Sequence, residues 1–249
     1  MKKLQLYKIL IYAGLITILT MVIKYLLNLT GLEFIGQTSL QNGVISSAIF
    51  VLGFFLSAII ADYKESEKIP SEFAATTEDM YEDARHLQKI YSGFSLEIFR
   101  KNLIDILDAF REGTRKRRHD IRYEINELHL TFIEMEKAGV PANYIIKLKT
   151  QQGQLLKSLF RVNYIQKIKF VPSVTILAQS IIVLVVAMLL FTNIDPFFGG
   201  LIVTGIITFI LVYMQMLIKV ISVPFQPAGS TKDDVSLFLL HETKIHIKK

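Results

Sequence analysis

The chain has 249 residues, 51% of them hydrophobic, with 28 Lys and Arg against 22 Asp and Glu and no cysteine. Its mean hydropathy of +0.41 is too high for a soluble domain with 20% charged residues, and the lack of cysteine excludes disulfides, thiolate metal ligands and thiol catalysis. The formal charge of +6 owes much to lysines beside apolar stretches, so it describes topology more than an acidic partner.

Four continuous apolar stretches run over Ile9–Leu27, Val44–Ala61, Phe170–Phe191 and Phe198–Val223. Each matches the roughly 20 helical residues that cross a hydrocarbon core, and the lack of apolar/polar alternation predicts helices, not barrel strands. The expected organisation is spans one and two in residues 1–61, a helical bundle in 62–168, spans three and four in 169–225 and a tail in 226–249, all one structural unit. Lys2, Lys3 and Lys8 precede the first span, Lys64 and Lys68 follow the second, Lys167 and Lys169 precede the third, and Lys232, Lys244, Lys248 and Lys249 follow the fourth. The other two connections carry only Glu33 and Asp195. Basic flanks stay inside, so a multi-pass protein of the cell membrane is expected, with both termini and the bundle cytoplasmic.

The first span is longer than a secretory signal core and lacks a small-residue cleavage pattern, so it reads as a retained helix. Lys24, near its far end, is expected to lift its ammonium to the interface; the alternative is a charge lining a water-filled vestibule. In the second span, Ser46, Phe50, Phe54 and Ser57 share one helical face, and Gly53 gives a small neighbour for close helix approach or a bend. Copies arranged with this face inward would form Phe rings bordered by hydroxyls, a constriction able to gate by dewetting. Simple packing also produces such a stripe.

In the polar segment, Thr76 with Asp79 has the form of a helix cap, opening a helix that reaches Ile90 or Tyr91 before Gly93. A second helix from near Ser95 places Leu96, Phe99, Leu103, Ile106, Leu107 and Phe110 on one face and stops at Gly113. The third carries Ile121, Ile125, Leu128, Phe132 and Met135 in a narrow seam and ends at Gly139 and Pro141. A fourth begins near Ala142 and runs through Leu148, Leu155, Leu159 and Val162. The run Arg115, Lys116, Arg117 and Arg118 could meet anionic lipid or nucleic acid, or concentrate anions at a pore mouth. The blander reading is a solvated helix start balanced by Glu112, Asp120 and Glu124. Nucleic acid ranks last, since the segment is near charge balance and offers no aromatic stacking platform. His86, His119 and His129 are scattered among charged neighbours, and no phosphate loop, paired-His motif or nucleophile elbow occurs, so no enzyme activity is expected.

Phe50-Val51-Leu52-Gly53-Phe54, followed by a polar patch and Pro70, resembles the pore-helix signature of the bestrophin channels. Pro224-Phe225, Asp233-Asp234 and Val235-Ser236-Leu237 are similar to the family's post-membrane segment. The likeness runs loosely from Ser46 to Leu240 and is nearest to the prokaryotic bestrophin-like branch. It implies neck positions at Phe50 and Phe54 and a packing glycine at Gly53, with Ser46 where an apolar neck residue is usual and Ser57 below. Asp62, in Asp62-Tyr63-Lys64, stands where the family carries tryptophans and is expected at the cytoplasmic mouth. The resemblance also implies a homopentamer. Calcium, bound in animal members by an acidic cluster, would have only Asp233 and Asp234 here, with Glu242 and backbone carbonyls to help reach the six or more oxygens it needs.

The resulting expectation is an all-α oligomeric ion channel in the lipid bilayer, conducting inorganic ions passively and slightly favouring anions. A four-span subunit has too few helices to enclose a pore alone. The competing reading is a membrane-anchored scaffold whose bundle binds a partner protein.

Overall fold

A computed structural model describes residues 7–116, 121–167, 172–225 and 235–249, and these are almost entirely helical. Among the described residues the helices are α1 (Lys8–Leu29), α2 (Ser39–Gln88), α3 (Leu96–Lys116), α4 (Ile121–Lys137), α5 (Ala142–Lys167), α6 (Pro172–Phe191), α7 (Phe197–Ile221) and α8 (Phe238–Lys248). Four of them, α1, α2, α6 and α7, are long and apolar enough to cross a membrane. The chain packs as two compact units. One holds α1, α2 as far as Tyr63, α6 and α7; the other holds α2 from Lys64, α3, α4, α5 and α8.

In the first unit α1 packs on α7 and α6, and α6 on α7. The core is a stripe of α6, Ala178, Ile182, Val185 and Leu189, set against Ala48 and Leu52 of α2, Leu211 and Val212 of α7 and Ala13 of α1. Between apolar helices in lipid, association depends on close packing by small residues. On α7 those residues are Gly200, Thr204, Gly205 and Thr208, all buried. A Cβ at Gly205 would lie 2.8 Å from Met21 Sδ on α1, and one at Gly200 would lie 2.5 Å from Ile194 Cβ and 3.1 Å from the Ile194 carbonyl oxygen. Gly53, the glycine that the sequence marks for close approach, behaves differently. A Cβ there would meet Met214 Cε at 3.9 Å, an ordinary contact, so close approach within the chain does not require glycine.

The expected helix start at Thr76 is absent. α2 is one helix of 50 residues that passes through Thr76 and the buried Pro70 without interruption. Thr76 and Asp79 satisfy the pattern of a cap, but Ile69, Phe73, Met80, Ala84 and Leu87 keep an apolar face continuous across them. That burial outweighs a local cap signal worth about 1 kcal/mol. The true start is a capping box upstream. Gln41 N–H donates to Thr38 Oγ1 at 3.3 Å, and Thr38 N–H donates to Gln41 Oε1 at 2.9 Å.

The second unit follows the apolar periodicity closely. Phe99, Leu103, Ile106, Leu107 and Phe110 on α3 are buried, as are Ile121, Ile125, Leu128, Phe132 and Met135 on α4 and Leu148, Leu155, Leu159 and Val162 on α5. Phe73 of α2 stacks on Phe110 with ring centroids 4.0 Å apart. Ser95 Oγ accepts from the Ile98 N–H at 3.3 Å, capping α3. Gly113 does not stop α3, which continues to Lys116; a glycine with no apolar seam ending at it is a weak terminator. By contrast Gly139, at φ +80, does end its helix. Val140 N–H reaches the Met135 carbonyl at 3.0 Å and Gly139 N–H the Glu136 carbonyl at 3.1 Å, the paired bonds of a Schellman motif. The tail carries α8, which packs on α3 and buries Leu240, Thr243 and Ile247.

These contacts rank the glycines. Gly200→Ala meets a backbone oxygen and should lose about 1–3 kcal/mol of stability, as overpacked sites do. Gly53→Ala should lower the thermal midpoint in detergent little by comparison, and a larger loss at Gly53 than at Gly200 would contradict this packing.

Candidate functional site

Two of the polar features in the spanning helices of the first unit are resolved in opposite ways. The first is Lys24. It is fully buried, so it does not snorkel to an interface. Its ammonium donates to Glu33 Oε1 at 2.7 Å, to the Thr192 carbonyl at 2.6 Å and to the Leu189 carbonyl at 3.0 Å. The Leu190 carbonyl lies at 3.5 Å as a fourth, more distant acceptor for the three donors. Glu33 is equally enclosed, its side chain 4% exposed, and its other oxygen accepts from Asn28 Nδ2 at 2.8 Å.

The reason lies in α6. Its last turn contains no basic residue, and its terminal carbonyls would otherwise stay unsatisfied. Lys24 supplies both the hydrogen bonds and the positive charge that the negative end of a helix dipole favours. The same corner holds the short parallel pair Ile35–Gly36 with Thr192–Asn193. Gln41 Nε2 donates to Thr192 Oγ1 at 3.2 Å, which ties the start of α2 to the end of α6. Lys24, Glu33, Asn28, Gln41 and Thr192 thus form one network. Two signals in the sequence could have found it: the Thr38–Gln41 capping box, and the fact that Lys24 and Glu33 are the only charged residues between Lys8 and Asp62.

The second feature is the free face of α2. At about 100° per residue, the buried Ala48, Leu52 and Ile59 cluster on one side of the helix. Gly43, Ser46, Phe50, Phe54, Ser57 and Ala61 fall on the opposite side, and all are exposed. Phe50 is 75% and Phe54 67% accessible. The other spanning helices expose a different chemistry. α1 presents Leu10, Ile11, Leu15, Ile18, Leu19, Val22 and Leu26, while α6 presents Ile176, Val183 and Leu184 and α7 presents Ile202, Val203 and Ile206. These faces are mostly aliphatic, although α1 also exposes Tyr12 and Tyr25, α6 Gln179 and Ser180, and α7 Phe198. The α2 face differs in setting Phe50 and Phe54 one turn apart among Gly43, Ser46, Ser57 and Ala61.

Of the remaining sequence candidates, Asp62 does not join this stripe and several lie outside the described residues. Asp62 is exposed on α2, about 80° round the helix from Phe54. Arg117 and Arg118 lie outside the described residues, as do the side chains of Arg115 and Lys116. Asp233 and Asp234 are also outside them, and Glu242 is exposed on α8. Among the described residues no group of three or more carboxylate or imidazole side chains could hold a metal ion. The second unit has an open groove of about 580 Å³ lined by Ala75, Thr76, Asp79, Lys147, Thr150, Gln151 and Gln154. Its charges are already paired: Lys147 lies 2.6 Å from Asp83 and 3.5 Å from Asp79, and Gln151 Nε2 donates to Asp79. The hydrogen bond it donates to the Asp83 carboxylate holds the Lys147 ammonium above the usual lysine range.

No family model matches the sequence, and no curated protein matches it significantly. Solved structures do. A bacterial bestrophin homolog from Klebsiella pneumoniae superposes with TM-score 0.82 at 13% identity, over 95% of this chain and 97% of that one. A crystal structure described only as a membrane protein variant superposes with TM-score 0.83 at 14% identity, over 97% of this chain and 98% of that one. The fold is therefore that of the bacterial bestrophin homologs, as the short motifs around Phe50 and Pro224 imply.

The buried ion pair makes a sharp prediction. Replacing one member, by Lys24→Met or Glu33→Gln, leaves an uncompensated buried partner and should cost about 3–5 kcal/mol. The double variant should lose less than the sum of the two, and strict additivity in thermal unfolding in lipid nanodiscs would show that the pair does not act as a unit.

Proposed function

We propose that this chain, folded as the bacterial bestrophin homologs are, assembles as a homo-oligomer whose α2 helices line an ion pore with a neck at Phe50 and Phe54. The supporting observation is the exposed α2 stripe. Small and hydroxyl-bearing residues interleaved with two rings suit a neighbouring copy or water better than acyl chains. Copies gathered about an axis give that face water along the centre, with rings of Phe narrowing it between bands of hydroxyl. The bestrophin resemblance favours five copies, with both termini and the second unit in the cytoplasm as the basic flanks demand.

A neck of Phe and Ser carries no formal charge, so the mouths bias the permeant ion. Glu33 is neutralised by Lys24, which removes one of the two carboxylates in the short outer connections and leaves Asp195 exposed. With the basic run Arg115 to Arg118 in the cytoplasmic segment, this balance tilts towards anions. The second unit exposes Tyr123, Leu130, Ile146, Phe160 and Tyr164. Those side chains are the surface that neighbouring copies would cover, or that a soluble partner would occupy if the chain were a scaffold.

Unitary currents from the purified protein in a planar bilayer are the expected result. The double variant Phe50→Ala with Phe54→Ala should raise conductance or leak several-fold. An intact oligomer silent under every salt gradient would favour the scaffold, and unchanged currents in the double variant would remove the two rings from the conduction path.

A further inference from the structure

The C-terminal helix meets α2 and α3 through side chains that the pore does not use. Leu240, Thr243 and Ile247 form its buried face. Thr243 Oγ1 donates to Glu78 Oε2 at 3.1 Å, and Lys244 Nζ donates to Asp108 Oδ1 on α3 at 2.6 Å. One turn further on, His246 Nε2 lies 3.4 Å from Glu82 Oε1 and 3.8 Å from Glu78 Oε1. Two carboxylates of α2 therefore flank one imidazole of α8.

We propose that α8 is a pH-sensitive clasp on α2, fastened when His246 is protonated beside Glu78 and Glu82 and loosened when it is neutral. Histidine is the side chain whose ordinary titration falls between pH 5 and 8. A neutral ring can offer one hydrogen bond to one carboxylate. An imidazolium attracts both, so the contact strengthens as pH falls through the histidine's titration and weakens as pH rises through it. Of the other groups nearby, His86 and His241 are also imidazoles, and His246 is the one whose ring lies against carboxylates of the facing helix. On α2, Arg85 pairs with Glu82 at 2.5 Å, and His86 lies one turn beyond Glu82. On α3, Asp108 is held by Lys244. On α8 itself, Glu242 is one turn before His246, and His241 is exposed. The Lys244–Asp108 bridge is a separate anchor of the helix, so His246 modulates the docking without creating it.

The target of the clasp gives it consequence. Glu78 and Glu82 belong to the same unbroken helix that carries Phe50 and Phe54. Fastening α8 thus restrains the helix proposed to line the pore; only this consequence for conduction rests on the channel reading.

Hydrogen exchange on the purified protein tests the clasp without reference to conduction. Protection of α8 amides, corrected for the intrinsic pH dependence of exchange, should rise about two- to fivefold between pH 7.5 and pH 5.5, the scale of an exposed ion pair. His246→Gln should abolish the rise, and His241→Gln should leave it intact. Equal protection at both pH values in the unsubstituted protein, or a rise that survives His246→Gln, overturns the proposal. If exchange behaves as expected while bilayer currents are absent, the clasp stands and the channel reading falls.

Discussion

Inside a bilayer every polar group must find a partner, because no bulk water is present to supply one. Lys24 meets that constraint within the chain. Its charge is matched by Glu33, its donors by the carbonyls at the end of α6, and the cluster extends through Thr192 to Gln41 at the head of α2. A lysine that merely reached for the surface would leave α6 without a cap and α2 without a fixed starting point. The ion pair is therefore as much a joint between three helices as a charge pair.

The α2 stripe meets the same constraint in the opposite manner, since nothing within one chain covers it. Ala48, Leu52 and Ile59 turn to the core, and the serines and phenylalanines on the far side are left exposed. Read together, the two features separate the roles of the polar residues in the first unit. The network at Lys24 holds the frame, and the free face of α2 is the surface at which function is placed. The close contacts of Gly200 and Gly205 serve the frame as well, binding α7 to its neighbours so that α2 need not supply its whole surface to hold the unit together.

Much of this was legible from residue order. The four spans, the seams of α3, α4 and α5, the Gly139 stop and the Phe50–Phe54 face all follow from apolar periodicity and local turn chemistry. Periodicity works where burial is one-sided and continuous, as in Ile121, Ile125, Leu128, Phe132 and Met135. It fails where a long-range partner decides the outcome. Lys24 reads as a snorkelling residue until Leu189 and Thr192, more than 160 positions away, are brought beside it. Thr76 reads as a cap until the continuous packing of α2 overrides it. Gly53 reads as the close-packing glycine because it sits in a familiar motif, while Gly200 and Gly205 take that role because α1 and Ile194 happen to lie against them. The short motifs around Phe50 and Pro224 led to the right fold despite identities of only 13–14% to the solved bestrophin-like structures.

The absence of cysteine makes the central claim directly testable by single substitutions in a clean background. Cysteine placed at Ser46 or Ser57 on the free face of α2, and at Leu19 on the aliphatic face of α1, can be challenged with a charged, water-soluble thiol reagent in reconstituted vesicles. The account predicts rapid modification with block of ion flux at Ser46 and Ser57 and none at Leu19. Protection of both α2 positions, with flux untouched, would contradict it.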